Sequence, residues 1–192
     1  MNFKAYDILS SVVPGFFLGI VLLYFLNLPY DKDMIVPYTA SAYLLGYLMN
    51  ALSSWMEDFY FFTWGGNPAM QLLRGHDVWK ARFYSHEQVS KLLKGECPNP
   101  APSELELFSI AMRYTNQKDS KIEDLNTAYV FSRAILTCVI LASILFFIRN
   151  YHNVFYDAFI LLILSIAWLR CKQRNYYYAR EVLNNYVKIK SG

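Results

Sequence analysis

Uncharged and apolar residues fall into four stretches along the chain, and the spacing between them predicts the fold. The first run, Ile8 to Leu28, has 21 uncharged residues, enough at about 1.5 Å per helical residue to cross a hydrocarbon core of about 30 Å. Pro14-Gly15 lies near its start, where a kink is readily accommodated close to an interface. Lys4 is offset by Asp7 and no small-x-small site precedes Pro29, so the run reads as a span and not as a signal peptide. The second run, Met34 to Met56, has 23 uncharged residues, with Pro37 in its first turn. Only Pro29 to Asp33 separates the two, which predicts a tight helical hairpin.

A second hairpin is predicted much later. Ala134 to Ile148 is uncharged for 15 residues and becomes a span by including Tyr129 to Arg133. Ala158 to Leu169 is uncharged for 12 residues and needs Tyr151 to Asp157 to reach the same length. Either alone could be the buried helix of a soluble protein. Joined by Arg149 to Asn153, they read as a pair.

The polar middle reads as ordered helices. Ser85-His86-Glu87-Gln88, Ser103-Glu104-Leu105-Glu106 and Ser120-Lys121-Ile122-Glu123 are capping boxes, in which a hydroxyl and an acidic or amide side chain satisfy free amides reciprocally. The first carries Val89, Leu92 and Leu93 before Gly95, and the second Leu105, Phe108 and Met112, with a proline-rich link over Cys97 to Pro102. Upstream, Asn67 can cap a short helix ending near Gly75, with Pro68 at its first position. The third helix runs on into the third span. The tail, without a breaker from Arg170 to Lys190, continues the fourth span as one helix of about 35 residues, or about 50 Å.

The expected fold is therefore all-α: a four-helix transmembrane bundle, a small helical cytoplasmic layer between helices 2 and 3, and a helical C-terminal extension. Its segments are an N-terminal transmembrane hairpin (1–62), a cytoplasmic helical segment (63–128), a C-terminal transmembrane hairpin (129–169) and a basic tail (170–192). Composition agrees, since 55% of the 192 residues are hydrophobic and only 17% charged, whereas soluble domains carry about 25% charged residues. Disorder and a disulfide scaffold are excluded. Of 18 Lys and Arg, only Lys32 and Arg149 fall in the short hairpin connections. The positive-inside rule then puts both termini and the middle segment in the cytoplasm. Cys97, Cys138 and Cys171 show neither disulfide nor metal spacing.

Catalytic motifs are not found: there is no phosphate loop, HExxH, paired CxxC or GxSxG. His76-Asp77 is the pair that metal phosphohydrolases use, but the only other histidines are His86 and His152, the latter on the opposite side of the predicted membrane. An ordinary turn is expected there, with no metal and no cofactor. Span one has Ser11, Gly15 and Gly19 at small-xxx-small spacing, which permits close helix approach. Span two carries Thr39, Ala42, Gly46, Asn50, Ser53 and Glu57 every three or four residues, one small-and-polar stripe. Three readings stand open for it: packing against another helix of the same chain, a wetted oligomer axis, and a ligand groove. A homo-oligomer, as a tetramer with span two near the axis, is the assembly this stripe predicts.

Arg133 is the most costly side chain in the spans, at about 2.5–3.5 kcal/mol for a central Arg. At the cytoplasmic end it reads as a snorkelling residue or the partner of Glu57 or Asp58. Asp157, near the outer end, is expected to face water. Arg170, Lys172, Arg174 and Arg180 form a juxtamembrane basic cluster, each able to contribute about 1 kcal/mol beside an anionic leaflet. Membrane lipid is the expected contact, a soluble partner protein is an alternative for the adjoining Tyr176-Tyr177-Tyr178, and direct nucleic-acid binding is not expected.

Three segments carry a resemblance. Tyr6-Asp7-Ile8-Leu9-Ser10-Ser11-Val12-Val13-Pro14-Gly15, Asn126-Thr127-Ala128-Tyr129-Val130-Phe131-Ser132-Arg133 and Tyr178-Ala179-Arg180-Glu181-Val182-Leu183 resemble small bacterial four-helix membrane proteins. Proteins of this layout include membrane components of antiphage defence loci, such as the Kiwa membrane subunit and the membrane accessories of type VI-B CRISPR loci. The resemblance implies a bacterial inner-membrane protein that is not an enzyme: an oligomeric sensor or pore-type effector acting with a soluble cytoplasmic partner. A passive anchor or assembly factor, and a lipid-modifying enzyme, are the competing classes.

Overall fold

The computed structural model describes residues 5–76, 83, 85–115, 120–150 and 154–191. Side chains are described within these ranges except at 5–10, 120, 150 and 191. The described residues form α-helices and short connections, with no strand. The helices are α1 (Ala5–Phe25), α2 (Ile35–Trp55), α3 (Glu57–Trp64), α4 (Pro68–Leu73), α5 (His86–Glu96), α6 (Glu104–Thr115), α7 (Ser120–Asn150) and α8 (Val154–Ser191). A single 3-10 turn, Lys32–Met34, leads into α2 and is capped by Asp31, whose Oδ1 accepts from the Asp33 amide at 3.0 Å.

Two helices, α7 and α8, are long and apolar enough to cross a membrane. Among the described side chains, α1 offers a shorter apolar stretch over Ser11–Phe25. The α2 helix is uncharged throughout, but Tyr38, Tyr43, Tyr47, Asn50 and several serines dilute its apolarity.

The chain divides into two compact units, residues 1–57 with 130–171, and residues 58–129 with 172–192. In the first unit, α1 and α2 cross in near backbone contact. A Cβ on Gly15 would overlap the Ala42 carbonyl oxygen, and one on Gly46 would overlap that of Ser11. Glycine is required at both places because no side chain fits between the backbones. Leu18 of α1, Met49 of α2 and Cys138 of α7 meet in a small core, and the Cys138 thiol donates to the Pro14 carbonyl at 3.6 Å. Residues 133–134 and 136–139 of α7 are all buried, so that helix is enclosed at mid-length. By contrast, only 6% of the apolar window of α8 is buried.

The second unit has its own core. Leu72 of α4, Val89 and Leu93 of α5, Ala111 of α6, Ile122 of α7 and Leu183 of α8 are buried together. The Ser103–Glu106 capping box forms as the sequence predicts: Glu106 Oε2 accepts from the Ser103 amide at 2.9 Å, and Ser103 Oγ from the Glu106 amide at 3.3 Å. Asn67 caps α4 by accepting from the Ala69 amide at 2.9 Å, with Pro68 behind it. One expectation changes. Ser85 precedes α5 but makes no side-chain cap, because its backbone (φ −97°, ψ 21°) is not the extended form that aims a hydroxyl into the first turn. The helix runs through Gly95 to Glu96. The side chain of Ser120 lies outside the described residues.

Candidate functional site: a buried polar seam in the first unit

The α2 stripe faces the chain's own helices. Ala42, Gly46, Met49 and Ser53 are buried on one side of α2, at the spacing that keeps residues on one helical face. Gly46 lies against Ser11 of α1. One turn further on, the Asn50 side-chain amide donates to Ser11 Oγ at 3.4 Å. Packing within the chain is the arrangement present at Gly46 and Asn50, both of which contact Ser11 of α1. Periodicity locates a helix face without naming what covers it. Thr39 does not join it, being exposed with its hydroxyl turned back to the Ile35 carbonyl at 2.8 Å.

The stripe ends in charge. Arg133, 8% exposed on α7, places Nη1 2.8 Å from Glu57 Oε2 and donates from Nε to Ser53 Oγ at 3.3 Å. The Ser53 hydroxyl in turn donates to the Asn50 carbonyl at 2.8 Å. Glu57 follows α2 by two residues, so the pair ties that end of the hairpin to α7. The cluster holds helices in register by charge and hydrogen bonding. Of the sequence alternatives for Arg133, partnership with Glu57 is the arrangement present. Asn50 Oδ1 is shielded and has no hydrogen-bond partner.

A second tie lies at the other end of the unit and had no counterpart in the sequence reading. Arg149 donates from Nη1 to the carbonyls of Tyr24 and Phe25, the latter at 3.0 Å, and from Nη2 to Asn27 Oδ1 at 2.6 Å. Its guanidinium also lies 4.4 Å from the Tyr24 ring centroid. It therefore caps the C-terminus of α1, where Asn27 turns the chain with φ 55°. Those terminal carbonyls have no partner within the helix, and a cation there also opposes the helix dipole. The sequence marked Arg149 only as a loop charge. Asp157, expected to face water, is half-buried with Oδ1 shielded and unpartnered.

In the second unit, the Tyr176 hydroxyl donates to Gln71 Oε1, and burial pushes the Tyr176 phenol up to about 12. Lys172 donates to the Trp64 carbonyl at 3.2 Å. Lys190 pairs with Glu96 and lies 4.3 Å from the Tyr114 ring centroid. The hydrogen bond that the Lys190 ammonium donates to Glu96 raises its pKa above the usual range. Arg74 and Glu104 pair at 2.9 Å, which raises the one and lowers the other, through their hydrogen bond first. Arg170 is exposed and Arg174 half-buried with a shielded Nε.

Among the described residues, no group of three or more His, Cys, Asp and Glu side chains is placed to hold a metal ion. His76 is exposed, and Asp77 lies outside the described residues, as do His152 and the side chains of Tyr6 to Ser10. Comparison with protein-family models, with curated proteins and with solved structures finds no match to this chain.

Proposed function

We propose that the protein is a four-span inner-membrane protein with both termini and the middle helices in the cytoplasm, acting as a sensor that signals to a soluble partner in antiviral defence. The membrane part rests on α7 and α8, two unbroken helices that each carry an apolar stretch in the first unit and a packed, polar-surfaced stretch in the second. The α1–α2 hairpin supplies the other two spans. Its contact surface with α7 holds the only charges between Asp33 and Asp58 and between Lys121 and Arg149 that pair inside the first unit among the described residues, Glu57 and Arg133. The defence assignment rests on the resemblance of the three sequence segments named above.

One observation favours sensing over conduction. Asn50 and Ser53 of α2 hydrogen-bond inside the unit, and α2 and α8 turn large apolar and aromatic side chains outward: Tyr43, Leu44, Tyr47, Phe155, Phe159 and Leu162 are exposed. Such a surface suits lipid and does not line a wet pore. Self-association belongs in this reading to the outward half of α8, because the α2 face is occupied. Bacteria carrying the gene with its neighbours provide the test. Phage plaquing should fall relative to cells lacking it, and Arg170→Glu with Arg174→Glu should abolish the protection at unchanged membrane abundance. Equal plaquing with and without the gene would refute the defence role.

A further inference from the structure

We infer that α3 is a membrane-contacting helix, which sets Phe59 and Phe62 into the boundary between acyl chains and anionic headgroups on the cytoplasmic side. The inference rests on the four-span reading and adds to it a lipid-binding surface on the second unit.

The helix is inverted relative to a water-facing one. Tyr60 and Trp64, one turn apart, are buried with their rings stacked at 6.3 Å between centroids. The opposite side carries Phe59 and Phe62, 56% and 82% exposed. Three residues apart on a helix, the two rings share a face. A helix end in water would place charged or small polar groups there, because exposed aromatic surface is unfavourable in water. At the headgroup boundary the same rings are buried in lipid.

Chain position and charge identify the bilayer as the occupant. The α3 helix begins directly after the uncharged α2, whose last residue, Trp55, is also exposed. It stops at Gly65-Gly66, both with positive φ (83° and 127°), where the chain turns into α4. At its C-terminal end the Lys172 ammonium lies 3.2 Å from the Trp64 carbonyl, so a cation borders the aromatic helix. From Arg170 to Arg180 the chain has four basic residues and no acidic one, which complements an anionic leaflet. Glu57 and Asp58, the two acids between the end of α2 and Phe59, lie in the first turn of α3, where negative charge favours the helix N-terminus.

Spin-label depth measurements on the full chain in nanodiscs test this. Cysteines replace Phe59, Phe62, Leu105 and Ile166 one at a time in a Cys97→Ser background, and Cys138 and Cys171 are buried. Labels at 59 and 62 should collide with oxygen several-fold more often, relative to a water-soluble nickel chelate, than a label at Leu105, an exposed position on α6. The preference should be larger in discs containing phosphatidylglycerol than in phosphatidylcholine alone, and Lys172→Gln with Arg174→Gln should remove that difference. Labels at 59 and 62 that are as open to nickel as one at 105 would overturn the proposal. Equal immersion in both lipids, unchanged by the two glutamines, would overturn its headgroup part. The label at Ile166, on the outward apolar half of α8, separates the two readings. If it too is open to nickel, the four-span reading fails; if it favours oxygen while 59 and 62 do not, only the assignment of α3 fails.

Discussion

Replacing Glu57 by leucine should destabilise the first unit more than any other single exposed-to-apolar change at that end of the hairpin. Arg133 is 8% exposed and has Glu57 Oε2 at 2.8 Å and Ser53 Oγ at 3.3 Å. Removing one member of a buried pair costs about 3–5 kcal/mol, because the other charge is left uncompensated. The Glu57 side chain is 30% exposed, so water screens part of that loss, and the expected cost is about 2–3 kcal/mol. Arg133→Leu alone leaves the carboxylate, which can turn to water, and should cost less. Replacing both by leucine removes the charges together, and such exchanges are often neutral or stabilising by about 1–4 kcal/mol. The double variant should therefore be at least as stable as Glu57→Leu. Unfolding in bicelles, followed by steric trapping or by detergent titration, measures all four corners of the cycle. Additive single effects, with a coupling below about 0.5 kcal/mol, would refute the argument that the pair is buried and mutually dependent.

Three further outcomes follow from contacts elsewhere. Gly15→Ala should destabilise the α1–α2 hairpin by about 1–3 kcal/mol through backbone overlap, whereas Gly19→Ala, whose Cβ meets only Leu45 Cδ1 at 3.9 Å, should be tolerated; thermal stability in detergent compares them. Arg149→Gln removes the carbonyl cap of α1 and should cost about 1 kcal/mol, since the group is exposed, read in the same assay. The Tyr176 phenol has a folded pKa of about 12 against an unfolded 10.0. A raised pKa means this contribution to stability is complete below pH 10 and is lost as pH rises through about 12; tyrosinate absorbance and helicity should change together there, and Tyr176→Phe should shift that loss of helicity.

Local features of the fold were legible in the sequence, and pairings across long distances were not. The Ser103–Glu106 box and the Asn67-Pro68 start depend on neighbours within three residues, so composition alone located them. The unbroken α7 and α8 followed from the lack of a Gly or Pro breaker. The same pattern could not show that Gly46 meets Ser11 and not a second copy, because an apolar or small face fits either partner equally well. Arg149 was read as an orientation signal, since its three acceptors sit more than 120 residues away in sequence. The sequence ends the second span at Met56 and groups residues 57–62 with the hairpin, whereas a separate helix, α3, runs over Glu57–Trp64.

Topology is the most direct test of the four-span account. A membrane-impermeant thiol reagent applied to sealed cells should label cysteines introduced at Asp31 and Asn153 and leave Cys97 unmodified until the membrane is opened. Labelling of Cys97 in intact cells, or protection of both introduced cysteines, would contradict it.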